Sequence, residues 1–184
     1  MNRDPNLVLI GFMAAGKSTV GRDCARILGL RFRDSDRLVE QRSGKSIPEI
    51  FSEGGEAVFR SMEASAIQTL ASANPLVLST GGGAPMDTKN VARLRRTGLI
   101  VLLWARPEVI LSRISNPDTR PLLVSSDTEP AERVSELLAV REPAYRAAAD
   151  VVIDTTSLSR PETVARVVAA YYEGKTLRRF RRKA

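Results

Sequence analysis

The clearest chemistry in this chain lies in the segment from Gly11 to Ser18, which reads Gly-Phe-Met-Ala-Ala-Gly-Lys-Ser. It fits the pattern G-x-x-x-x-G-K-[ST], in which the glycines let successive backbone N–H groups point at phosphate oxygens. In this pattern Lys17 reaches the β- and γ-phosphates of a nucleotide, and the Ser18 hydroxyl is offered to Mg²⁺. The segment therefore predicts a phosphate-binding loop, residues 11–18, for a nucleotide with magnesium.

Two carboxylates, Asp34 and Asp36, form the next candidate group. They follow residues 30–33, whose pattern predicts a strand. Because ligands bind at the carboxyl ends of parallel strands, both acids would share a cleft with the phosphate-binding loop. The same spacing also suits Asp36 as the N-cap of a following helix. The sequence alone leaves a ligand-binding role and a capping role open.

Arginine and glycine residues supply the remaining candidates. Arg60 and Glu63 lie three positions apart on one face of a predicted helix, where they can interact. The alternative is that they form no more than a surface ion pair. Gly81-Gly82-Gly83 follows a predicted strand and leaves the backbone open to a ligand, although a plain turn fits this stretch equally well. Other arginines stand beside prolines or glycines in predicted loops, which suggests an anionic small molecule.

The elements that must position these residues alternate along the chain. Apolar runs predict strands at 7–10, 30–33, 76–79, 99–104 and 151–153. Helical spacing predicts helices that end at Gly29, that cover 46–73 with a break at Gly54-Gly55, and that cover 87–97, 107–114, 130–141 and 161–172. Strands that alternate with helices in this way indicate an α/β fold with a parallel sheet.

One segment, 115–128, is too rich in turn-forming residues to pack as a regular element. Phosphoryl transfer requires that water be excluded, because the nucleotide is otherwise hydrolysed. We therefore interpret this segment as a candidate lid.

Composition limits the possible chemistry. The chain has 184 residues, 43% of them hydrophobic, and we expect one domain. It contains no histidine, which excludes imidazole catalysis and histidine-ligated zinc. The single cysteine, Cys24, falls on the apolar face of the first predicted helix, so we expect a core thiol in a reducing cytoplasm. No apolar run approaches the length of a membrane span, so we expect neither membrane insertion nor secretion.

The formal net charge of +7 is uneven, because basic residues crowd the last positions of the chain. Such a tail can bind nucleic acid. It has little aromatic interleaving, however, so we interpret 175–184 as a solvated basic tail and do not expect a nucleic-acid partner.

Taken together, six motifs resemble the shikimate kinase family, in the family's order, from Leu7 to about Tyr172. They are Gly11 to Thr19, Asp34-Ser35-Asp36, Phe59-Arg60 with Glu63, Gly81-Gly82-Gly83, Arg120-Pro121-Leu122-Leu123 and Arg141-Glu142-Pro143-Ala144-Tyr145. The resemblance implies a kinase that moves the γ-phosphoryl group of ATP to the 3-hydroxyl of shikimate. It also implies a three-layer P-loop kinase fold with a central five-stranded parallel sheet and a lid at about 115–128. We expect one domain over 1–174, acting as a monomer.

The resemblance also assigns roles to individual residues. ATP would contact Gly11, Ala14, Ala15, Gly16, Lys17, Ser18, Thr19, Arg113 and Arg120. Shikimate would contact Asp36, Arg60, Gly81, Gly82, Gly83 and Arg141. Mg²⁺ would bind Ser18 and, through water, Asp34, while Lys17, Asp36 and Arg120 would be catalytic.

The chain departs from the family pattern at Ala14, where another glycine is usual. If that position needs a positive φ, alanine costs on the order of 1 kcal/mol. Two other interpretations stay open on the sequence. One is another small-metabolite kinase of the same fold, such as a gluconate kinase or a nucleotide kinase, and the other is a non-catalytic ligand-sensing module.

Overall fold

Five parallel strands form the centre of the computed structural model, which describes residues 4–73, 75–114 and 129–181. The strands lie in the order β2-β3-β1-β4-β5. Their bounds are β1 Asn6–Ile10, β2 Arg31–Asp34, β3 Leu76–Ser79, β4 Gly98–Trp104 and β5 Val151–Asp154. All of β1 and β3 is buried, as is β4 up to Leu103, which is typical of parallel strands covered on both faces. The predicted five-stranded parallel sheet is confirmed.

Seven α-helices in the described part of the chain flank this sheet. They are α1 Lys17–Leu28, α2 Ser35–Ser43, α3 Ile47–Ser72, α4 Thr88–Thr97, α5 Pro107–Ser112, α6 Pro130–Ala148 and α7 Arg160–Arg181, with a short 3₁₀ turn at Ala84–Met86. Helix α1 packs beside α7, and α3 packs beside α2 and α4. Cys24 of α1 is fully buried, and burial raises the pKa of its thiol to about 12, as suits a core thiol. In the described residues, no helix is both long and apolar enough to cross a membrane.

The register of the strands brings the candidate residues to one edge of the sheet. Asp34 at the end of β2 pairs with Ser79 at the end of β3. Ser79 in turn pairs with Leu9, next to the last residue of β1. The segments that follow these three strands therefore start side by side, and they include the phosphate-binding loop and the glycine run.

The turn from β1 into α1 needs unusual backbone angles. Gly11 has φ 142°, and a Cβ there would collide with the carbonyl oxygen of Leu103. Gly16 has φ 90°, directly before α1 begins at Lys17. Ala14 has φ 57°, and in the described part of the chain it is the one residue other than glycine with a positive φ. Ala14 therefore adopts the positive φ at which alanine is expected to cost on the order of 1 kcal/mol of stability.

Helix α2 begins at Ser35, two residues earlier than the alternative role of Asp36 as its N-cap requires. Asp34 is its N-cap, and its side chain accepts hydrogen bonds from the backbone N–H groups of Asp36 and Arg37. The interpretation of Asp36 as the cap is wrong, because extended backbone angles at Asp34 start the helix at Ser35. The Asp36 carboxylate is thus not used for capping.

The predicted end of α6 differs from the structure, whereas a predicted break inside α3 is confirmed. The helix at 46–73 is one element, α3, although Gly55 inside it has the non-helical angles φ 72° and ψ −180°, so the predicted glycine break is confirmed. Helix α6 was expected to end before Pro143 but continues to Ala148. The missing N–H of Pro143 costs one hydrogen bond. Burial of Tyr145 and Ala148 on the next turn stabilises the continuation.

Helix α7 runs to Arg181 rather than ending near Tyr172. Gly174 lies against Leu99, where a Cβ would be too close to that side chain. Lys175 Nζ donates to Asp4 Oδ2 at 2.6 Å. The first part of the segment interpreted as a solvated tail, up to Arg181, therefore continues the last helix.

We expect Ala14→Gly to raise the free energy of unfolding by about 0.5 to 1 kcal/mol, because relief of the left-handed strain exceeds the added chain entropy. The matched control is Ala15→Gly, since Ala15 is 2% exposed and has no positive φ. That variant should lose about 1 kcal/mol. Urea unfolding of the three proteins measures both changes. Equal losses in both variants would contradict the assignment of strain to Ala14.

Candidate active site

A cavity of about 600 Å³ lies at the carboxyl edge of the sheet. The predicted nucleotide residues that line it are Ala14, Ala15, Gly16, Lys17, Ser18, Thr19 and Arg113, and Asp34 lines it as well. Gly11 lies behind it, at the base of the loop. Arg120 and the candidate lid, 115–128, fall outside the described residues.

Lys17 is folded over the phosphate-binding loop. Its Nζ donates to the carbonyl oxygens of Gly11 at 2.9 Å and Phe12 at 2.8 Å, and the residue is 8% exposed. The loop thus holds a buried ammonium group at the mouth of the cavity. An anion bound in this loop would meet that charge together with the N-terminus of α1.

Oxygen atoms cluster beside Lys17. The Ser18 hydroxyl donates to Asp34 Oδ2 at 2.7 Å and lies 3.2 Å from the Ser79 hydroxyl. Hydroxyl and carboxylate oxygens are ligands that Mg²⁺ prefers. Among the described residues no group of three or more His, Cys, Asp or Glu side chains could hold a metal. A magnesium ion here would therefore share its coordination with phosphate and water oxygens.

A second cavity, of about 220 Å³, adjoins the first. Met13, Asp36 and Gly82 line both cavities, so the two spaces meet at these residues. The walls of the second cavity include Phe51 and Phe59, whose ring centroids are 5.0 Å apart. Every residue predicted for the acceptor lines this cavity, namely Asp36, Arg60, Gly81, Gly82, Gly83 and Arg141.

Arg60 and Glu63 form more than the surface ion pair that the sequence left open. Arg60 Nη1 donates to Glu63 Oε2 at 2.8 Å, and Glu63 is 1% exposed. Arg60 also contacts Glu56 at 2.9 Å on its outer side. Burial raises the pKa of Glu63, whereas the charge and hydrogen bond of Arg60 oppose that shift. The guanidinium therefore joins a buried carboxylate to the wall of the cavity.

The glycine run both forms a turn and lies against charged side chains. The Ala84 N–H donates to the Gly81 carbonyl at 3.2 Å, which closes the turn. A Cβ at Gly81 would collide with carboxylate oxygens of both Asp36 and Glu63. A Cβ at Gly83 would collide with the guanidinium of Arg60. A larger residue at either position would have to displace these charged groups, so the run packs directly against the charged side chains of the cavity.

Asp36 occupies the position between the two cavities. Burial raises the pKa of its carboxyl group to about 7, and the charges of Asp34 and Glu63 act in the same direction, whereas Lys17 and Arg60 oppose them. Within the described residues, buried Oδ1 of Asp36 has no hydrogen-bond partner, and neither has Oε1 of Glu63. Asp36 can therefore accept a hydrogen bond from a ligand hydroxyl.

Arg141 reaches the same cavity from α6. It is 8% exposed, and its guanidinium lies over the Phe12 ring, 5.8 Å from the centroid. Among the residues that the structure describes, it has no carboxylate in salt-bridge contact, in contrast to Arg60. Arg60 and Arg141 thus place two guanidinium groups on one small cavity.

The opposite end of the nucleotide cavity carries Arg113. Its Nη2 donates to the carbonyl oxygen of Thr155 at 3.1 Å, which fixes the guanidinium at the end of β5. Arg160 lines the same cavity and its Nε donates to Asp23 Oδ2 at 2.6 Å. These two arginines border the part of the cavity that lies away from the phosphate-binding loop.

Sequence reasoning missed the uncharged side chains that support the site. Ser79 contacts Ser18, Ser35 contacts Gly81, and Tyr145 contacts Gly82. Ser35 stands between two candidate acids, which was a usable signal. Tyr145 lies four positions after Arg141, so it would have been placed on the same helix face had α6 been extended past Pro143.

Comparisons with known proteins agree with this geometry. A family model described as shikimate kinase matches residues 13–172. The shikimate kinase of Caldanaerobacter subterraneus subsp. tengcongensis is 44% identical over 170 residues, covering 92% of this chain and 98% of the relative. That of Geobacter sulfurreducens is 47% identical over 162 residues, covering 88% of each chain.

Solved structures give the same result. Shikimate kinase from Acinetobacter baumannii in complex with shikimate has a TM-score of 0.88 at 37% identity, covering 94% of this chain and 95% of that one. A gluconokinase from Sinorhizobium meliloti 1021 has a TM-score of 0.63 at 17% identity, covering 98% and 99%. The latter likeness shows a common fold alone. The family model and the curated relatives distinguish this chain from other proteins that share the fold: it belongs to the shikimate kinase family.

Proposed function

We propose that this chain transfers the γ-phosphoryl group of ATP to the 3-hydroxyl of shikimate, giving shikimate 3-phosphate and ADP. The observation that carries the proposal is the junction of two cavities at Asp36. One cavity surrounds the phosphate-binding loop, and the other is small and bordered by two arginines. A carboxylate at the junction lies between a phosphate donor and a hydroxyl acceptor.

The second cavity has the functional groups that suit shikimate, a ring with hydroxyls and one carboxylate. Arg60 and Arg141 offer planar guanidinium groups, which match the two oxygens of a carboxylate. Asp36, which lines this cavity, offers its carboxylate to ring hydroxyls. Phe51 and Phe59 add an apolar wall for the ring itself. This distribution of groups favours a hydroxylated acid over a nucleobase.

Mg²⁺ fits the oxygen cluster at Ser18 and Asp34, which we propose as its protein partners, with Asp34 acting through water. When bound with ATP, the ion would neutralise charge on the transferring phosphates. Lys17 would turn from the loop carbonyls toward the same phosphates. The chain thus surrounds the phosphates with cationic and N–H groups.

Catalysis in this proposal depends on electrostatics and positioning. The transition state is loose, and its charge spreads over the equatorial oxygens, so Lys17 stabilises it without covalent chemistry. Asp36 orients the 3-hydroxyl and accepts its proton late, a role suited to a carboxyl group with a pKa of about 7. The participation of Arg120 stays a prediction, because this residue lies outside the described part of the chain.

We also propose that the enzyme acts as a monomer in the cytoplasm. The residues proposed for the phosphates and for the acceptor line adjoining cavities within one chain, so the proposal requires no residue from a second copy. The lone cysteine is buried, which fits a reducing compartment.

The proposed activity is tested by ³¹P NMR of reactions that contain ATP, Mg²⁺ and either shikimate, gluconate or no acceptor. We expect a phosphomonoester signal and ADP with shikimate alone. Lys17→Ala should lower turnover by at least about 10²-fold, since it removes a group that meets the developing charge. Lys89→Ala, an exposed lysine of α4, is the control and should match the wild type. Product formed from gluconate but not from shikimate would refute the proposal.

Recognition of the acceptor carboxylate gives a further prediction. Arg141→Lys should raise the Michaelis constant for shikimate and leave that for ATP nearly unchanged, since an ammonium group cannot match both carboxylate oxygens. The loss should be about 1.5 to 3 kcal/mol, the range for a hydrogen bond to a charged group. Shikimate methyl ester should be a poor substrate of the wild type and lose little more in the variant.

Steady-state kinetics of both substrates on both proteins form a double cycle. If acid and ester suffer equally from Arg141→Lys, this residue does not bind the carboxylate. The acceptor would then lie in a different orientation.

A further inference from the structure

The Gly81–Gly83 loop has no side chains with which to fix its own position. Two neighbouring hydroxyls hold its backbone, together with backbone hydrogen bonds from Ala84 to Gly81 and from Met86 to Gly83. The N–H of Gly81 donates to Ser35 Oγ at 2.9 Å, and the carbonyl of Gly82 accepts from the Tyr145 hydroxyl at 2.5 Å. Ser35 and Tyr145 are both fully buried. The loop is therefore held between the start of α2 and the last turn of α6.

Ser35 is available for this contact because of its place in α2. Asp34 caps the helix, so the Ser35 hydroxyl is not needed for that purpose. Asp34 and Asp36 on either side of it belong to the metal and acceptor positions proposed above. The bond to Gly81 thus ties the loop directly to the segment that carries both carboxylates.

Tyr145 makes a corresponding link on the other side. It follows Arg141 by one helical turn, so the two residues lie on one face of α6. Burial raises the pKa of Tyr145, and the positive charge of Arg141 opposes this shift. The Tyr145 hydroxyl donates to Gly82. Tyr145 therefore links the face of α6 that carries Arg141 with the glycine loop.

We propose that Ser35 and Tyr145 are positioning residues that clamp the Gly81–Gly83 loop and Arg141 in one arrangement, and so set the affinity for the acceptor without touching it. Neither side chain lines the acceptor cavity, whereas the loop and Arg141 do. The inference rests on the proposed function for the identity of the acceptor. Its physical basis is the freedom of a glycine backbone, because a loop released from its hydrogen bonds must be ordered again when the acceptor binds.

Tyr145→Phe tests the clamp, because it removes the hydroxyl and keeps the ring. We expect the Michaelis constant for shikimate to rise about three- to tenfold, the effect of one lost hydrogen bond. The Michaelis constant for ATP and the turnover at saturating shikimate should stay within about twofold, since the clamp acts on acceptor binding alone.

Tyr171→Phe is the matched control. Tyr171 is 2% exposed, and its hydroxyl donates to a backbone carbonyl, that of Pro5, at 2.9 Å. Burial raises the pKa of this tyrosine to about 12, as it does for Tyr145. Loss of the Tyr171 hydroxyl should lower the melting temperature as loss of the Tyr145 hydroxyl does, but it should leave the Michaelis constant for shikimate unchanged. A purely structural role for Tyr145 would make the two variants alike.

Ser35→Ala provides a second, independent test and should also raise the Michaelis constant for shikimate alone. If Tyr145→Phe does not fold, Ser35→Ala decides the question. An unchanged constant in a folded, active variant of either residue overturns the clamp and leaves the proposed function standing. Failure of the wild type to phosphorylate shikimate would refute the proposed function, and the clamp with it.

Discussion

The burial of carboxylates against the glycine loop is the constraint on which the rest of this site depends. Asp36 and Glu63 each bring an oxygen to Gly81, and in the described structure neither of these buried oxygens has a hydrogen-bond partner. Unpartnered charge in a protein interior is unfavourable for folding. The structure offsets part of this cost with Arg60 and Lys17, whose charges oppose the raised pKa of Asp36. Asp36 and Glu63 also line the acceptor cavity, where a ligand that donates hydrogen bonds would offset more of this cost.

The parallel sheet explains how one chain assembles these groups. Strands β1, β2 and β3 end at the same level, so the segments after them meet although they are far apart in sequence. Asp34 shows how local folding and chemistry are combined there. One oxygen of its carboxylate caps α2, while the other accepts from Ser18 beside the phosphate-binding loop. Capping by Asp34 leaves Asp36 free to face both cavities.

Local patterns in the sequence predicted the sheet, the phosphate-binding loop and the charged residues, because these depend on hydrophobic periodicity and on short motifs. They failed where distant packing decides the outcome. Pro143 indicated a helix end, yet buried Tyr145 stabilises another turn of α6. The spacing of Arg60 and Glu63 suited a surface ion pair and a pair within the site equally well. Only the tertiary structure shows Glu63 to be 1% exposed. The contacts of Ser35 and Tyr145 with the glycine loop were also not predicted, although both residues belong to recognised motifs, because tertiary structure decides which group a hydroxyl contacts.

The claim that Asp36 is held at a cost to stability is tested most directly by unfolding wild type and Asp36→Asn at pH 5 and pH 8 without nucleotide or metal. Burial raises the pKa of Asp36 to about 7 in the folded protein, from an ordinary value of 3.8. Between these values the folded state holds more protons, so the stability of the wild type falls as pH rises toward 7. The variant lacks this penalty. We predict that Asp36→Asn is more stable than wild type at pH 8. The stability difference between the variant and the wild type should be larger at pH 8 than at pH 5 by on the order of 1 to 3 kcal/mol. A stability difference between the two proteins that is the same at both pH values would contradict the account.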